Sequence, residues 1–332
     1  HECVAVLLSA GANVMVENVR KENAFLIALI KNRPECVKLM LLKRPEFSIE
    51  RTKDGILPLT DAIRNRWPEM IEAFVQAGCD MNAPEGIALT PIHLAVEVGH
   101  VPSVEMLVRG GANASSPLSL PTGATPLMLA VCKGRADVVK ALAQSCDLNY
   151  FDKLGRSALY MAVKFGYLQC VHVLLSAGAD PDAYEGYYPI EGQLVQLVPA
   201  PTAIHCAFLY NKPDEAVVLI QSGCNLHFSA VYEKQGANLD VLLTSQTPLA
   251  LGCSRELTWA VELLLTTDPT VVDKTEDYNW CTPVIQRLIA KAKANMQNAR
   301  TLKELCRMNI REWLGGKTLF NSVPKLPLPF AL

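Results

Sequence analysis

His93 and His205 are the side chains of this sequence best suited to proton transfer, because imidazole titrates near neutral pH. Both occupy the fourth position of a similar phrase, Thr90-Pro-Ile-His93 and Thr202-Ala-Ile-His205. A catalytic base also needs a nucleophile or a substrate-binding motif beside it, and the sequence contains no Gly-x-Ser-x-Gly and no metal-binding His pair. The repeated position favours a structural role over a catalytic one. We therefore predict no catalytic residue.

The second candidate for chemistry is Gly315-Gly316-Lys317-Thr318, which is similar to the end of a phosphate-binding loop. That loop requires a further glycine at position 311, where this sequence has arginine, and no predicted strand precedes the segment. The two glycines are more typical of the end of a helix. The sequence therefore predicts no nucleotide or other cofactor.

Eleven cysteines are scattered along the chain without a Cys-x2-Cys pair. Their spacing is too irregular for a zinc site, so no metal ligand is predicted. Most stand among apolar residues at helical positions, as Cys36, Cys170 and Cys206 do, which is typical of small buried thiols. Free thiols indicate a reducing compartment, and we expect the cytoplasm, with the nucleus as the alternative.

Composition excludes several further classes of protein. The chain has 332 residues, 50% of them apolar, and a formal net charge of −2. This balance predicts no general attraction to nucleic acid or to membranes. No apolar run approaches the roughly 18 residues of a membrane helix. The sequence opens at His1 in the middle of a pattern, and we expect it to be a fragment.

The elements that position all these residues come from an internal repeat. One phrase recurs along the chain: in most copies it is a small polar residue, then Pro or Ala, then an apolar run. Its prolines Pro58, Pro91 and Pro126 are separated by 33 and 35 residues. A second phrase, Gly followed by Ala or Cys and then Asn or Asp, closes most repeats. Its glycines are Gly11, Gly78, Gly111, Gly178 and Gly223.

Each phrase has a physical role. Thr-Pro begins a helix, since the hydroxyl caps the first turn and proline is tolerated there. Gly99, Gly134, Gly166 and Asn211 follow the apolar run and predict a left-handed residue that ends the helix. A second apolar helix follows, and the closing Gly turns the chain toward the next repeat. The sequence thus predicts pairs of short antiparallel helices.

These phrases resemble ankyrin repeats, which implies an all-α solenoid of helix-turn-helix repeats with β-turn fingers over residues 1–297. We expect a half repeat at 1–22, repeats from about 23, 55, 89, 123, 155, 201 and 246, and a partial repeat from 282. Two intervals lengthen to 45 residues, from Ser157 to Thr202 and from Thr202 to Thr247. The additional residues, 181–201 and 226–246, are expected to form exposed loops.

The remaining residues, 298–332, have a different pattern. Apolar residues spaced by three and four positions predict a helix over 301–314 with one apolar face. Three prolines at 324, 327 and 329 then impose an extended, polyproline-like segment over 323–332. Neither piece has much to pack against within the chain, so both are expected to bind another protein.

This pair resembles a SOCS box, a small helical module, and the resemblance implies partners. Elongin C, together with elongin B, would contact Thr301, Leu302, Leu305, Cys306 and Ile310. The Leu-Pro-Leu-Pro core, in the form associated with cullin-5 and its RING subunit, would place Val323, Leu326, Pro327, Leu328 and Pro329 on the cullin. Each motif alone is weakly specific, and the order of the two is the stronger signal.

The expected target-binding surface comes from the two residues before each left-handed residue. In successive repeats these positions include Lys31, Arg64, Lys133, Lys164, Phe165 and Tyr210. One interpretation is a solvated face. The other is a groove for an acidic segment that carries an apolar anchor.

Ankyrin repeats and a SOCS box together imply the substrate-recognition subunit of an elongin B/C–cullin-5–RING ubiquitin ligase, which leads its target to ubiquitination and proteasomal degradation. Such a subunit is not an enzyme. The alternative is a non-catalytic ankyrin scaffold or adaptor that recruits no ligase. An enzyme with an ankyrin regulator is disfavoured, because no second domain of adequate length remains.

Overall fold

A computed structural model describes residues 1–49, 52, 56–83, 89–118, 123–184, 201–227, 230–232, 244–272 and 281–296. It divides into two compact parts, His1–Cys224 and Asn225–Leu332. Apart from two short strands, the regular secondary structure of the described residues is helical, as predicted.

The first part consists of helix pairs. The first helix of each pair follows a capping residue; these helices are α2 (Ala24–Ile30), α4 (Pro58–Arg64), α6 (Pro91–Val98), α8 (Pro126–Cys132), α10 (Ala158–Phe165) and α12 (Ala203–Leu209). The second helices are α3 (Pro34–Lys43), α5 (Pro68–Gln76), α7 (Val101–Arg109), α9 (Ala136–Leu142), α11 (Leu168–Ser176) and α13 (Pro213–Gln221), with α1 (Glu2–Ser9) preceding the first pair. A short 3-10 helix, Pro45–Ser48, follows α3.

The helices stack on the corresponding helices of the neighbouring pairs. From α4 to α12 each first helix packs against the next, and from α3 to α13 each second helix does the same. The first helices are buried on almost every side, as α6 is from Pro91 to Val96. The second helices bury one stripe, such as Ser103, Val104 and Leu107 in α7. The core therefore runs the length of this part as a continuous layer between the two rows.

The two helices of each pair are joined by a short turn containing a left-handed residue. We call these six segments, residues 30–33, 64–67, 97–100, 132–135, 164–167 and 209–212, the inter-helix turns. The predicted left-handed residues have φ of 72° at Gly99, 67° at Gly134, 75° at Gly166 and 52° at Asn211. Asn32 and Arg66 take the same conformation in the two earlier turns.

The closing Gly-Ala-Asn/Asp phrases do more than turn the chain. The Asn or Asp of each phrase accepts the backbone N–H two residues later, as Asp80 does from Asn82 at 2.8 Å. The side chain two positions after that Asn or Asp accepts a hydrogen bond from a backbone N–H of the following repeat. These bonds run from Asn113 N to Asn82 Oδ1, from Asp147 N to Ser115 Oγ and from Asp180 N to Asn149 Oδ1, at 2.8, 3.1 and 2.9 Å. A ladder of hydrogen bonds thus joins successive loops from Asp80 to Asp180.

The β-turn fingers are closed by a side chain at their first position. The buried carboxylate of Asp152 accepts the backbone N–H groups of Leu154 and Arg156, each at 2.9 Å. Its second oxygen accepts hydrogen bonds from Nε and Nη2 of Arg156, at 2.8 and 2.6 Å. Asn18 closes an earlier finger in the same way, through the N–H groups of Arg20 and Glu22.

The second part has its own helices. These are α14 (Pro248–Ser254), α15 (Thr258–Thr267), a 3-10 turn at Pro269–Val271 and α16 over residues 283–296. Its buried side chains include Leu249, Val261 and Leu264. In α16 the buried residues Ile285, Ile289 and Ala292 recur at helical spacing and form one apolar stripe.

One expected loop is partly ordered as strands. Within 226–246, β1 (Ala230–Tyr232) pairs antiparallel with β2 (Thr244–Gln246), with Val231 opposite Ser245. Val, Tyr and Thr favour strands, and an antiparallel pair satisfies backbone groups that a loop would leave to water. The ends of this insertion, which was expected to form an exposed loop, therefore pair as two short strands. Most of the other insertion lies outside the described residues.

Candidate functional site

The residues expected to bind elongins, Thr301, Leu302, Leu305, Cys306 and Ile310, lie outside the described part of the chain. So do the residues expected to bind the cullin, Val323, Leu326, Pro327, Leu328 and Pro329. The geometry of the candidate site therefore concerns the first compact part and its inter-helix turns.

The six residues expected to bind a target all lie at inter-helix turns. Lys31, Arg64, Lys133, Phe165 and Tyr210 are exposed, and Lys164 is half-buried. Each stands one or two positions before a left-handed residue, in the last turn of the first helix or directly after it. Their backbones are consequently held by the same turn in every repeat, and their side chains repeat along one edge of the stack.

Contacts between repeats join five of these turns in series. Arg66 Nη2 donates to the carbonyl of Val98 at 3.5 Å. Arg135 Nη1 donates to the carbonyls of Val96 and Glu97, at 2.8 and 2.9 Å. Because these arginines reach from one turn to another, the turns at 64–67, 97–100 and 132–135 form one continuous surface.

The series continues through close packing on glycines. A Cβ at Gly134 would lie 2.9 Å from the ring of Tyr167, and a Cβ at Gly166 would meet the end of Lys212. Each glycine is therefore needed twice, for its positive φ and for the approach of the next repeat's side chain. The same contacts place turns 132–135, 164–167 and 209–212 side by side.

The last two turns bring four side chains together, those of Lys164, Phe165, Tyr167 and Tyr210. Lys164 Nζ lies 5.2 Å from the centroid of the Tyr210 ring, a cation–π geometry. The rings of Phe165 and Tyr167 are 5.9 Å apart and inclined at 40°. Phe165 and Tyr210 remain 45% and 39% exposed. This end of the edge therefore presents apolar rings next to a cation.

Lys31, Arg64 and Lys133 belong to the turns of earlier repeats. Arg135, Tyr167 and Lys212 were missed by the sequence reasoning. Each follows the left-handed residue directly, and the prediction considered only the two positions before it. The repeated position after the left-handed residue was the signal that could have identified them.

His93 and His205 are buried, and each contacts the hydroxyl of a nearby threonine. Nδ1 of His93 is 2.8 Å from the hydroxyl of Thr90, and Nδ1 of His205 is 2.8 Å from that of Thr202. Burial lowers the pKa of His93 to about 4, although the nearby backbone of Ala124 and Ser116 opposes the shift. Each histidine thus contacts the threonine that begins its own helix. Nε2 of His93 is buried, and no atom of the described residues lies at the distance and angle of a hydrogen bond to it.

The cysteines are poor candidates for chemistry in the described residues. Burial raises the pKa of Cys206 and of Cys224 to about 12, and that of Cys146 to about 11. A thiol that stays protonated is a weak nucleophile and a weak metal ligand. Cys170 and Cys206 are buried as predicted, whereas Cys36 is only half-buried because it lies at the edge of α3.

The described residues contain no cluster of three or more His, Cys, Asp or Glu residues able to hold a metal ion. None of their helices is long and apolar enough to cross a membrane. The edge formed by the inter-helix turns remains the surface with distinctive chemistry.

Comparison with known proteins adds the following. A family model described as ankyrin repeats matches residues 1–85 and 92–185, and one described as the SOCS box matches residues 298–332. The ankyrin repeat domain of Bcl-3, a member of the IkappaB protein family, superposes with a TM-score of 0.54 at 23% identity, covering 71% of this chain and 97% of that chain. The structural likeness establishes the fold.

Several curated relatives match in sequence. The Danio rerio protein ZDHHC13 is 31% identical over 204 residues, which cover 60% of this chain and 31% of that protein. NF-kappa-B inhibitor alpha of Sus scrofa is 36% identical over 128 residues, or 39% and 32%. E3 ubiquitin-protein ligase KEG of Arabidopsis thaliana is 22% identical over 347 residues, or 94% and 20%.

The chain spans about a third or less of the length of these relatives. Their own activities therefore do not transfer to it. The two family models are more informative, because the ankyrin model covers more than half of the chain and the SOCS box model follows it. On these matches, and on the helix pairs and turns described above, the protein belongs to the ankyrin repeat and SOCS box family.

Proposed function

We propose that this protein is the substrate-recognition subunit of a cullin–RING ubiquitin ligase. The observation that carries the proposal is the presence of two different binding modules in one chain. The helix stack offers an exposed, contiguous edge to a target, and residues 298–332 match a SOCS box. In this arrangement the protein supplies proximity, and the chemistry of ubiquitin transfer belongs to the RING subunit and a conjugating enzyme.

Elongin C, with elongin B, is the partner proposed for residues 301–314. At helical spacing, Leu302, Leu305, Cys306 and Ile310 share one face, with Thr301 at its start. Leu302 and Cys306 would enter an apolar pocket, and a small thiol there would let the helix approach closely. Burying a leucine contributes about 1.5–3 kcal/mol, so loss of one such anchor is expected to weaken binding by roughly tenfold to a hundredfold.

Cullin-5 is the partner proposed for residues 323–332. Pro324, Pro327 and Pro329 restrict the backbone before binding, so less conformational entropy is lost when the segment docks. Leu326 and Leu328 would be the apolar anchors, with Val323 beside them. This contact is separable from the elongin contact, because the two segments share no residue.

Co-purification of the tagged full chain tests these assignments. The unaltered protein is expected to recover elongins B and C together with cullin-5. Leu302→Pro and Cys306→Phe should each abolish elongin recovery, while Arg311→Ala, on the opposite side of the same helix by spacing, should leave it intact. Alanines at 326–329 should lower cullin-5 recovery and spare the elongins.

Two results would contradict the proposal. If the unaltered chain recovers no elongins, the protein is a scaffold or adaptor without ligase recruitment. If it recovers cullin-2 as well as cullin-5, the assignment of the Leu-Pro-Leu-Pro segment is wrong.

The target is proposed to bind the inter-helix turns, through Lys31, Arg64, Lys133, Lys164, Phe165 and Tyr210. Their exposure and their repetition along one edge support this assignment. The chemistry of that edge carries a more specific inference.

A further inference from the structure

Charge in the first compact part is strongly segregated. The six inter-helix turns contain eight Lys or Arg residues and one acidic residue, Glu97. The rest of residues 1–224 contains 11 Lys or Arg residues and 22 Asp or Glu residues. The turns are therefore cationic within a body that is otherwise anionic. We call this set of cations the basic ridge; it consists of Lys31, Arg33, Arg64, Arg66, Lys133, Arg135, Lys164 and Lys212.

Five of the six turns that carry the basic ridge are contiguous, and the ridge is largely exposed. The contacts of Arg66, Arg135, Tyr167 and Lys212 join the turns from 64–67 to 209–212. Five of the eight cations are exposed and the other three are half-buried. Like charges placed side by side repel one another, so a ridge of this kind is stabilised when an anion binds to it.

The apolar end of the ridge adds a second requirement. Phe165 and Tyr210 expose large parts of their rings beside Lys164, so a ligand that covers them must offer an apolar side chain. Charge alone would be matched by any polyanion, whereas this combination is matched by a protein segment.

The dimensions also suit a peptide. Packed helices lie about 8–10 Å apart, and an extended chain advances about 3.3 Å per residue. The step from one turn to the next therefore corresponds to roughly three residues of an extended chain. The four steps between the five contiguous turns correspond to roughly twelve residues.

Nucleic acid fits this surface less well. The cations of the basic ridge are confined to the six inter-helix turns. The anionic remainder of the body would also repel a long polyanion beyond the ridge.

We propose that the basic ridge binds an extended acidic segment of the target protein, with an aromatic or aliphatic side chain of that segment docked between Phe165 and Tyr210. This inference rests on the proposed function, because it names the class of segment by which a substrate would be recognised. Acidic residues spaced by about three positions would face successive turns.

Fluorescence anisotropy with the purified full chain tests the proposal. The probe is a dodecapeptide with Glu at every third position, Ser at the positions between and two phenylalanines at one end, made in both orientations. Comparison probes lack the phenylalanines, carry Lys in place of Glu, or are single-stranded oligonucleotides of equal charge. We expect at least one phenylalanine probe to bind roughly tenfold or more tightly than the plain acidic peptide, and the Lys peptide not to bind.

Variants locate the binding. Lys133→Glu and Lys164→Glu should each weaken the phenylalanine probe by roughly threefold to tenfold. Phe165→Ala should remove the difference between the two acidic peptides. Lys140→Glu makes the same change of charge at an exposed position on α9, outside the ridge, and should have no effect. Circular dichroism spectra identical to the wild-type spectrum show that each variant is folded.

Three results would overturn the proposal: equal weakening by Lys140→Glu, binding of the Lys peptide as tight as that of the acidic ones, or tighter binding of the oligonucleotide. The receptor function is judged separately by elongin recovery. Normal elongin recovery with no peptide preference removes the ridge proposal alone. Peptide binding without elongin recovery removes the receptor proposal and leaves the ridge as a binding surface.

Discussion

At the scale of single residues, the polar side chain that opens each first helix has two alternative partners. Thr125 and Ser157 accept the backbone N–H three residues later, at 3.3 and 3.1 Å, and so cap their helices. In the repeats that carry a histidine, the threonine hydroxyl instead meets Nδ1 of His93 or His205. The histidine thus belongs to the helix start, and its buried position disfavours a charge.

The first prediction concerns the pH dependence of stability at His93. Burial disfavours the charged form and lowers the pKa of His93 to about 4 in the native state, from the ordinary value of 6.5 that applies in the unfolded chain. Below pH 6.5 the unfolded chain binds a proton that the native protein does not bind. Stability contributed by neutral His93 is therefore present above pH 6.5 and lost as the pH falls toward 4, by at most about 1.4 kcal/mol per pH unit.

Urea unfolding at pH 7.0 and 5.5 measures this effect, with His93→Gln as the comparison. We expect the wild-type protein to lose up to about 1.4 kcal/mol more than His93→Gln between these two values. All other titrating groups are the same in both proteins. Equal losses would show that His93 does not remain neutral in the native state.

At the scale of elements, the inter-helix turn combines a backbone requirement with a contact from the next repeat. Gly99 has φ of 72°, and a Cβ there would collide with the guanidinium of Arg135. Gly78, between α5 and the next loop, has φ of 74°, and a Cβ there would meet no atom within 4 Å. The two glycines have the same backbone conformation, but the space beside Gly99 is filled by Arg135 and the space beside Gly78 is open.

The second prediction compares Gly99→Ala with Gly78→Ala. Both pay the cost of a left-handed alanine, about 1–2 kcal/mol. Gly99→Ala should cost a further 1–2 kcal/mol or so, because Arg135 must leave the carbonyls of Val96 and Glu97. Chemical denaturation of the two variants measures the difference in their free energies of unfolding.

A double-mutant cycle provides the control for the second prediction. In the background of Arg135→Ala the two glycine substitutions should cost nearly the same, since the side chain displaced by the new Cβ is absent. A difference that persists in this background would mean that the arginine contact does not explain it.

At the scale of the whole molecule, the first part is a stack in which each helix pair packs mainly on its neighbours. Burial is uneven along it. In α6 six consecutive residues are buried, whereas α1 contains no buried residue and leaves Val6 and Leu7 66% and 57% exposed. The local free energy of opening should therefore vary along the stack.

The third prediction is a gradient of hydrogen exchange in the full chain. The amides of α1 should exchange fastest among the helices of the first part, and those of α6 and α8 slowest, because opening α1 exposes little apolar surface. Exchange followed by mass spectrometry measures the protection of each helix. Protection of α1 equal to that of α6 would show that a contact outside the described residues covers it.

Much of the fold followed from the sequence, because the ankyrin pattern is local. A proline in the first turn, an apolar run and a left-handed Gly or Asn act within one repeat, and their spacing was enough to predict the helix pairs and the left-handed residues at 99, 134, 166 and 211. The SOCS box pattern is likewise read from residue types at 301–310 and 323–329. The strands β1 and β2 were not predicted, since their pairing joins residues separated by an insertion with no clear period.

The candidate site depended on tertiary structure. The sequence by itself determined which residues occupy the end of each first helix, and so identified Lys31, Arg64, Lys133, Lys164, Phe165 and Tyr210. Only the stacked repeats decided that Arg135, Tyr167 and Lys212 lie over the preceding turn and join the separate positions into one basic ridge. The physical reason is that contacts between repeats link residues more than 30 positions apart. A side chain's reach across that interval is set by how the helices pack, and a local sequence pattern does not record it.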